Sequence, residues 1–569
     1  MFNLFFKILN NFYSKNKIKF CFLGLMSVFA GIFEYIGLVF IFQFILFLSN
    51  PESVYCKKVI LFFKDYLNLS DFNKISLILG IFIAGIYIAK NVYMLIFTKY
   101  NNRILEDLSL KITIKTFRNL LFAPYIMTKA LTESEKLNVL SKITFVVWQY
   151  CYKFINFITN IVIILILTFF LFFKFTKTAF VTFVLLSILA GFEYVYLKQR
   201  SNSQNSKYTE ALENVNKILL VIINSIKEIK INNKEEFFLS KSKEEYKKLA
   251  SLNKDRNFNT VIHIYITEIS VMLGFIAILV SLFYTTNFNN QILISSLCTI
   301  CVLVLRLTPS INRAQSALYS INSNKQAVLD LIDFDEKFKT CINIDNTEEK
   351  LKFTDSIKLE NISFSYDKNE GLKNINLLIN KNDYIHIIGK SGSYKTTLAL
   401  ILSGLIKADT GKMFIDDSEL VEYKKWQNNV AFLSQDFVFL YDEVNKIIDY
   451  KDEKTNEYLN KLDLKNIENK KITELSSGER QRIALVDILL KDKNVIILDE
   501  ATANIDTSSQ NEIINILNNF KGQKTIVSIT HRLENIKDND KVIFIDNGNI
   551  ILDNYFNLKQ NELFKKSLI

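Results

Sequence analysis

Apolar and polar positions divide this chain at about residue 325. Before that point, long and almost wholly apolar runs alternate with charged stretches of helical period; beyond about residue 350 the apolar runs shrink to four or five residues between polar loops. The long runs are Phe20 to Leu48, Ile75 to Thr98, Phe145 to Phe173, Ala179 to Leu197, Val261 to Tyr284 and Leu293 to about Tyr319. Each is long enough to cross the roughly 30 Å hydrocarbon layer of a bilayer, so the pattern predicts six spans. An even number returns the C-terminal part to the side of the Lys-rich N-terminus. The first run is too long for the apolar part of a cleaved signal peptide. Two connections, Tyr100 to Lys142 and Lys198 to Asn257, are long, charged and helix-periodic, which predicts spans that continue as helices beyond the membrane. Bends near Pro124-Tyr125 and near Ile229-Lys230-Ile231 can dock on a neighbouring domain.

The polar part is organised around Leu475 to Asp506. A small-residue turn, Ser476-Ser477-Gly478, opens a helix through Arg480, Arg482 and Leu485, and the free N–H groups of a helix start attract an anion. The apolar run Val495-Ile496-Ile497-Leu498 then reads as a strand buried on both faces of a parallel sheet, with Asp499 and Glu500 at its carboxyl end. Ligands of open α/β sheets bind at that end, and neighbouring strand residues point in opposite directions. One acid can hold a metal while the other handles a water.

This order of motifs, a small-residue signature, an apolar strand ending in Asp-Glu and an Ala-Asn-Ile-Asp loop, resembles the nucleotide-binding domain of ATP-binding-cassette (ABC) proteins. Six spans with two long excursions before it resemble a half-size ABC exporter, whose bends form coupling helices. The resemblance implies a membrane all-α six-helix exporter domain (residues 1–325), a linker (326–350) and an α/β P-loop NTPase cassette (351–569) that binds ATP and Mg²⁺.

Strand Tyr384 to Ile388 feeds Gly389-Lys390-Ser391-Gly392-Ser393-Tyr394-Lys395-Thr396-Thr397 and then an apolar helix, the context of a phosphate loop. Its N–H groups cradle phosphates, Lys395 neutralises the β/γ oxygens and the Thr396 hydroxyl reaches Mg²⁺. The pattern asks for Gly before the lysine, where the backbone passes close to phosphate; this chain has Tyr394, which puts nucleotide affinity and turnover in question. Family likeness further assigns Tyr366 to stacking on adenine, Gln435 to Mg²⁺ or water, Ser476, Ser477, Gly478 and Glu479 to the γ-phosphate of an ATP held by another cassette, and Asp506 to the dimer loop. Ser477 and Glu479 stand where Gly and Gln are commoner. Asp499 is then the Mg²⁺ partner, Glu500 the general base and His531 the switch histidine on the γ-phosphate. With one cassette and six spans per chain, two copies are needed, and a homodimer is the simplest choice.

The net charge of +11 falls on lysines that flank apolar segments, which suits an anionic inner leaflet rather than nucleic acid. Three His without a His/Cys cluster argue against a transition-metal centre, and the six Cys read as free thiols. Glu34, Glu193, Glu268 and Arg306 lie in or near apolar runs, where each either faces a polar cavity or pairs locally. A finer likeness, in Gly31 to Pro51 and in Arg306, Pro309, Ser310, Asn312 and Arg313, points to lipid-linked-oligosaccharide and polysaccharide flippases of the PglK type. It implies an amphiphilic cargo with an anionic head group near Glu34, Arg306, Asn312 and Arg313, carried across an inner membrane with the cassette in the cytoplasm. A peptide or lipid exporter of the same fold, and a nucleotide-regulated subunit with weak hydrolysis, remain open.

Overall fold

A computed structural model describes the chain apart from residues 50–53, 70, 175–206, 286–289, 340–347, 368–369, 449–452, 465–466, 502–506 and 568–569. It divides into two units, Met1–Ala123 with Lys129–Ile342, and Pro124–Thr128 with Asn343–Ile569.

The first unit is helical among its described residues. It contains α1 (Phe2–Phe12), α2 (Lys17–Ser49), α3 (Val54–Leu67), α4 (Phe72–Phe122), α6 (Glu133–Thr144), α7 (Tyr152–Lys174), α9 (Ile226–Ile231), α10 (Glu235–Thr285), α11 (Asn290–Ser323) and α12 (Lys325–Lys339), with a helix over 207–224, α8, before α9; the short α5 (Tyr125–Lys129), which follows α4, belongs to the second unit except for its last residue. Among the described residues four helices are long and apolar enough to cross a membrane: Lys17–Leu48, Phe72–Phe122, Glu133–Phe169 and Glu235–Ile276. The candidate span Ala179 to Leu197, with Glu193, lies outside the described residues, and the sixth falls within α11. The second and fifth spans continue without a break into α4 and α10, each 51 residues long. A π-helical turn, Phe145–Cys151, joins α6 to α7.

α1 is amphipathic. Phe5, Ile8, Leu9 and Phe12 recur at helical spacing and are buried against Leu105, Leu108, Val147, Tyr150 and Ile332 of α4, the π turn and α12. Asp335 of α12 is 1% exposed and accepts hydrogen bonds from Lys115 Nζ (2.7 Å) and Asn119 Nδ2 (3.0 Å) of α4, so the buried carboxylate has its partners. The segment 326–350, read from sequence as a linker, thus opens with a packed helix. Its apolar residues Val328, Leu331, Ile332, Phe334 and Phe338 follow a helical period, and the unit boundary falls between Ile342 and Asn343.

The second unit carries two sheets. Strands β1 (Ser356–Asp367), β2 (Glu370–Asn380), β4 (Thr410–Ile415) and β5 (Ser418–Glu419) form an antiparallel sheet in the order β2-β1-β4-β5. Strands β3 (Tyr384–Gly389), β6 (Val430–Leu433), β7 (Val495–Asp499), β8 (Thr525–Ile529), β9 (Lys541–Asp546) and β10 (Asn549–Asn554) form the other, in the order β10-β9-β3-β8-β7-β6. Pairings from β9 to β6 are parallel and β10 adds an antiparallel edge. Every residue of β7 is buried, as its unbroken apolar run predicts. Helices α13 (Lys395–Leu402), α14 (Tyr423–Gln427), α15 (Glu453–Lys461), α16 (Ser477–Leu490) and α17 (Thr507–Asn519) accompany the sheets, and Ile126 of α5 packs against the apolar cluster that holds β1, β3 and α13.

Candidate functional site

The parallel order β3-β8-β7-β6 brings four carboxyl ends side by side, and each delivers a residue expected at a nucleotide site. β3 ends in the loop Gly389 to Tyr394, β7 in Asp499 followed by Glu500, β6 leads to Gln435, and β8 leads to His531. At Gly389 a Cβ would lie 2.4 Å from Ile545 O, so only glycine passes there; Gly392 has φ +81° and faces open space. Lys395 is 6% exposed, and its Nζ donates to Gly389 O (2.9 Å) and Lys390 O (2.8 Å). Burial pulls its ammonium below the usual lysine range, against the pull of Glu500 and Asp499. Ser393 Oγ is buried without a hydrogen-bond partner among the described residues. An orphan hydroxyl and a lysine held only by carbonyls fit a loop whose oxygen ligands arrive with the phosphates.

Thr396 Oγ1 donates to Asp499 Oδ2 at 2.8 Å. Burial pushes the Asp499 carboxyl up, as does the charge of Glu500, while the Thr396 bond opposes both. Glu500 takes a left-handed φ of +50° and is clasped from two strand ends. Gln435 Nε2 donates to its Oε2 (2.9 Å) and His531 Nε2 lies 2.9 Å from its Oε1. Gln481 of α16 donates to Glu500 O at 3.4 Å, a backbone anchor that no sequence motif had announced. The paired hydroxyl and carboxylate oxygens of Thr396 and Asp499 are hard donors of the kind Mg²⁺ takes, and the amide of Gln435 reaches the neighbouring Glu500.

Tyr394 is the N-cap of α13 with φ +73° and ψ +24°, and its half-buried ring packs against the apolar cluster of the first sheet. The backbone at this point therefore keeps the left-handed form that glycine favours, with a tyrosine in it. Ser476 and Glu479 close a capping box: Ser476 N donates to Glu479 Oε2 (2.8 Å), and Glu479 N to Ser476 Oγ (3.2 Å). The bonds from Ser476 hold the Glu479 carboxyl below its ordinary range. Ser476 and Ser477 are exposed and Gly478 is half-buried. Thr397 is buried in α13, and Lys390 and Ser391 sit in the turn before it. Tyr366, next to last in β1, is 45% exposed, its ring edge-on to Phe364 at 5.0 Å. Asp506 lies outside the described residues.

Over 214 residues, 34% of its length, the chain is 31% identical to the energy-coupling factor transporter ATP-binding protein EcfA1 of Streptococcus mutans, and it covers 76% of that protein. The chain belongs to the ABC transporter family. The family's model matches residues 372–503 of this ABC protein. It is also 29% identical over 247 residues to an ATP-dependent lipid A-core flippase of Aliivibrio fischeri (40% of this chain, 42% of that one), and 33% identical over 221 residues to that of Salmonella paratyphi A (35% and 38%). The chain spans about two fifths of the length of the flippases it matches. Its fold is that of a bacterial Atm1-family ABC exporter solved with ATP bound, with a TM-score of 0.76 over 98% of both chains at 15% identity.

In the first unit of this ABC protein, Glu34 and Arg306 come together, as sequence pairing allowed: Arg306 Nη1 lies 4.0 Å from Glu34 Oε2. The surprise is Lys90 of α4, which ion-pairs with the other oxygen of Glu34. Both cations sit over the Tyr87 ring, Lys90 Nζ 5.5 Å and Arg306 Cζ 5.0 Å from its centroid. Asn312 and the exposed Arg313 lie about two turns further along α11, and the buried Asn312 Oδ1 has no partner among the described residues. α11 runs through Pro309, and Ser310 Oγ and Thr308 Oγ1 donate to carbonyls one turn back, Arg306 O and Val304 O.

Proposed function

We propose that the chain is half of an ATP-driven exporter that moves an amphiphile across the bacterial inner membrane by alternating access, as a dimer of two identical copies with their cassettes in the cytoplasm. The carrying observation is that four parallel strand ends gather Lys395, Thr396, Asp499, Glu500, Gln435 and His531 at one edge, in a chain that also has helices long enough to span a bilayer. In this reading Gly389–Ser393 and Lys395 hold the β and γ phosphates. Bound Mg²⁺, on Thr396, Asp499 and Gln435, would neutralise charge between them. Glu500 takes the proton of the attacking water, while Gln435 and His531 fix its carboxylate at a strained backbone position. Tyr366 stacks on the adenine, and Ser476–Glu479 of one copy close on ATP held by the other, with Asp506 in the loop between copies.

The cargo we favour is a lipid-linked oligosaccharide or a related anionic amphiphile. The relatives named as lipid A-core flippases support a lipid cargo, and Arg306 supports an anionic head group. The test is Mg²⁺-dependent ATPase activity of the purified chain in lipid, with flipping of a fluorescent lipid-linked glycan beside it. Wild type is expected to turn over ATP and Glu500→Gln to lose at least about 10³-fold while trapping ATP. Equal rates would remove Glu500 from the base role. One observation favours a second reading, a nucleotide-regulated subunit that hydrolyses poorly: the left-handed φ of Tyr394. That reading requires near-zero wild-type turnover restored by Tyr394→Gly.

A further inference from the structure

The charge cluster of the first unit is unevenly held. Lys90 is 5% exposed and bonded to Glu34, whereas Arg306 reaches the same carboxylate only at 4.0 Å and its side chain is 36% exposed. Among the described residues two cations therefore share one anion, between apolar helices where an unbalanced charge is costly. Arg313 adds to the positive charge, since it lies seven residues from Arg306, on the same face of α11. The geometry around the pair is fixed from behind. Gly37 lies one turn from Glu34, and a Cβ there would stand 3.3 Å from the Tyr87 ring, so the ring that carries both cations lies directly on α2.

Resting on the reading of this unit as a cargo carrier, we propose that Glu34 is a built-in competitor for the cargo's head group. One carboxylate oxygen keeps Lys90 neutralised at all times, while the other engages Arg306 loosely until a phosphate-type anion takes the guanidinium over. A guanidinium fork prefers two oxygens of a phosphate to one distant carboxylate oxygen, and a doubly charged head group outcompetes Glu34 where a singly charged one does not. The carboxylate thus sets a threshold of head-group charge. Neutral and zwitterionic lipids that fill the surrounding bilayer fail to displace it, and a phosphomonoester or diphosphate succeeds.

The test is binding of lipid to the nucleotide-free, detergent-purified full chain by native mass spectrometry. Phosphatidic acid, phosphatidylglycerol and phosphatidylcholine of identical acyl chains serve as probes. Wild type should retain phosphatidic acid above the other two. Glu34→Gln should raise phosphatidylglycerol affinity about tenfold, narrowing its gap to phosphatidic acid, and leave phosphatidylcholine unchanged. Arg306→Ala in the Glu34→Gln background should erase that gain. If Glu34→Gln alone does not fold, the charge-balanced Glu34→Gln/Lys90→Met protein carries the same test, because the gain belongs to Arg306. An unchanged phosphatidylglycerol affinity without Glu34, or a gain that survives loss of Arg306, overturns the proposal. Because no nucleotide is present, absent ATPase activity would sink the transport reading and leave this result standing.

Discussion

Two lysines buried to nearly the same degree are held in opposite ways. Lys395, at the head of α13, rests on two backbone carbonyls, with Asp499 and Glu500 acting on it only through space. Lys90, inside α4, is closed off by a carboxylate from a different helix. In the proposed reading, the lysine resting on carbonyls is the one that an incoming phosphate meets. A lysine given its own carboxylate has spent its charge on the fold, and any ligand must be met by the cation beside it. Burial alone therefore does not distinguish the two lysines; the identity of the resting partner does.

The sharpest way to break this comparison is to remove each ammonium. Lys90→Met should destabilise the chain by about 3 kcal/mol, because Glu34 is left buried with only a distant arginine, and Glu34→Gln should restore most of the loss. Lys395→Met should cost within about 1 kcal/mol in the nucleotide-free protein while abolishing ATP binding. Thermal unfolding in detergent reads both, and equal losses would erase the distinction. A smaller effect is expected at the neighbouring Tyr394. Alanine there keeps the left-handed backbone and loses the ring, whereas glycine removes the strain, so Tyr394→Gly should be more stable than Tyr394→Ala by about 1 kcal/mol. The reverse order would mean that the loop relaxes out of its left-handed form.

The mildest test uses a lysine–acid pair at the edge of the second sheet, Lys521 and Asp540, which lie 2.9 Å apart. Burial would raise the Asp540 carboxyl, yet His386, Lys521 and the Lys537 N–H together hold it well below the usual range. A depressed carboxyl contributes stability above its unfolded value, near 3.8, and loses it as pH falls further toward the folded value. Asp540→Asn should therefore be less stable than wild type at neutral pH, with the gap closing below about pH 4. A gap independent of pH would assign Asp540 a packing role.

The candidate nucleotide site was legible in the sequence because its parts are local. One unbroken run carries the candidate phosphate loop from Gly389 to Thr397, and the Asp499-Glu500 step sits at the end of a strand whose apolar run announces it. What stayed hidden was tertiary. Gln481 reaches the Glu500 carbonyl from the middle of a helix, and its helical position says nothing of that bond. Lys90 lies in a span whose sequence reads as apolar, and its partner is 56 residues earlier. The antiparallel sheet of β1, β2, β4 and β5 also escaped, since its pairing depends on register between separated segments. α1 was seen only as lysines before a span, although Phe5, Ile8, Leu9 and Phe12 already carried its period.

The unbroken run of α4 has a mechanical meaning. A helix of 51 residues is a rod about 75 Å long, and no proline interrupts it. Lys90 stands about 27 Å from one end and about 48 Å from the other. If the charge cluster acts as a pivot, the arms are unequal, and a tilt of about 3° at the short arm becomes a sweep of about 2.5 Å at Phe122. On that reading, a tilt set at the charge cluster is amplified along the helix without bending a single peptide bond.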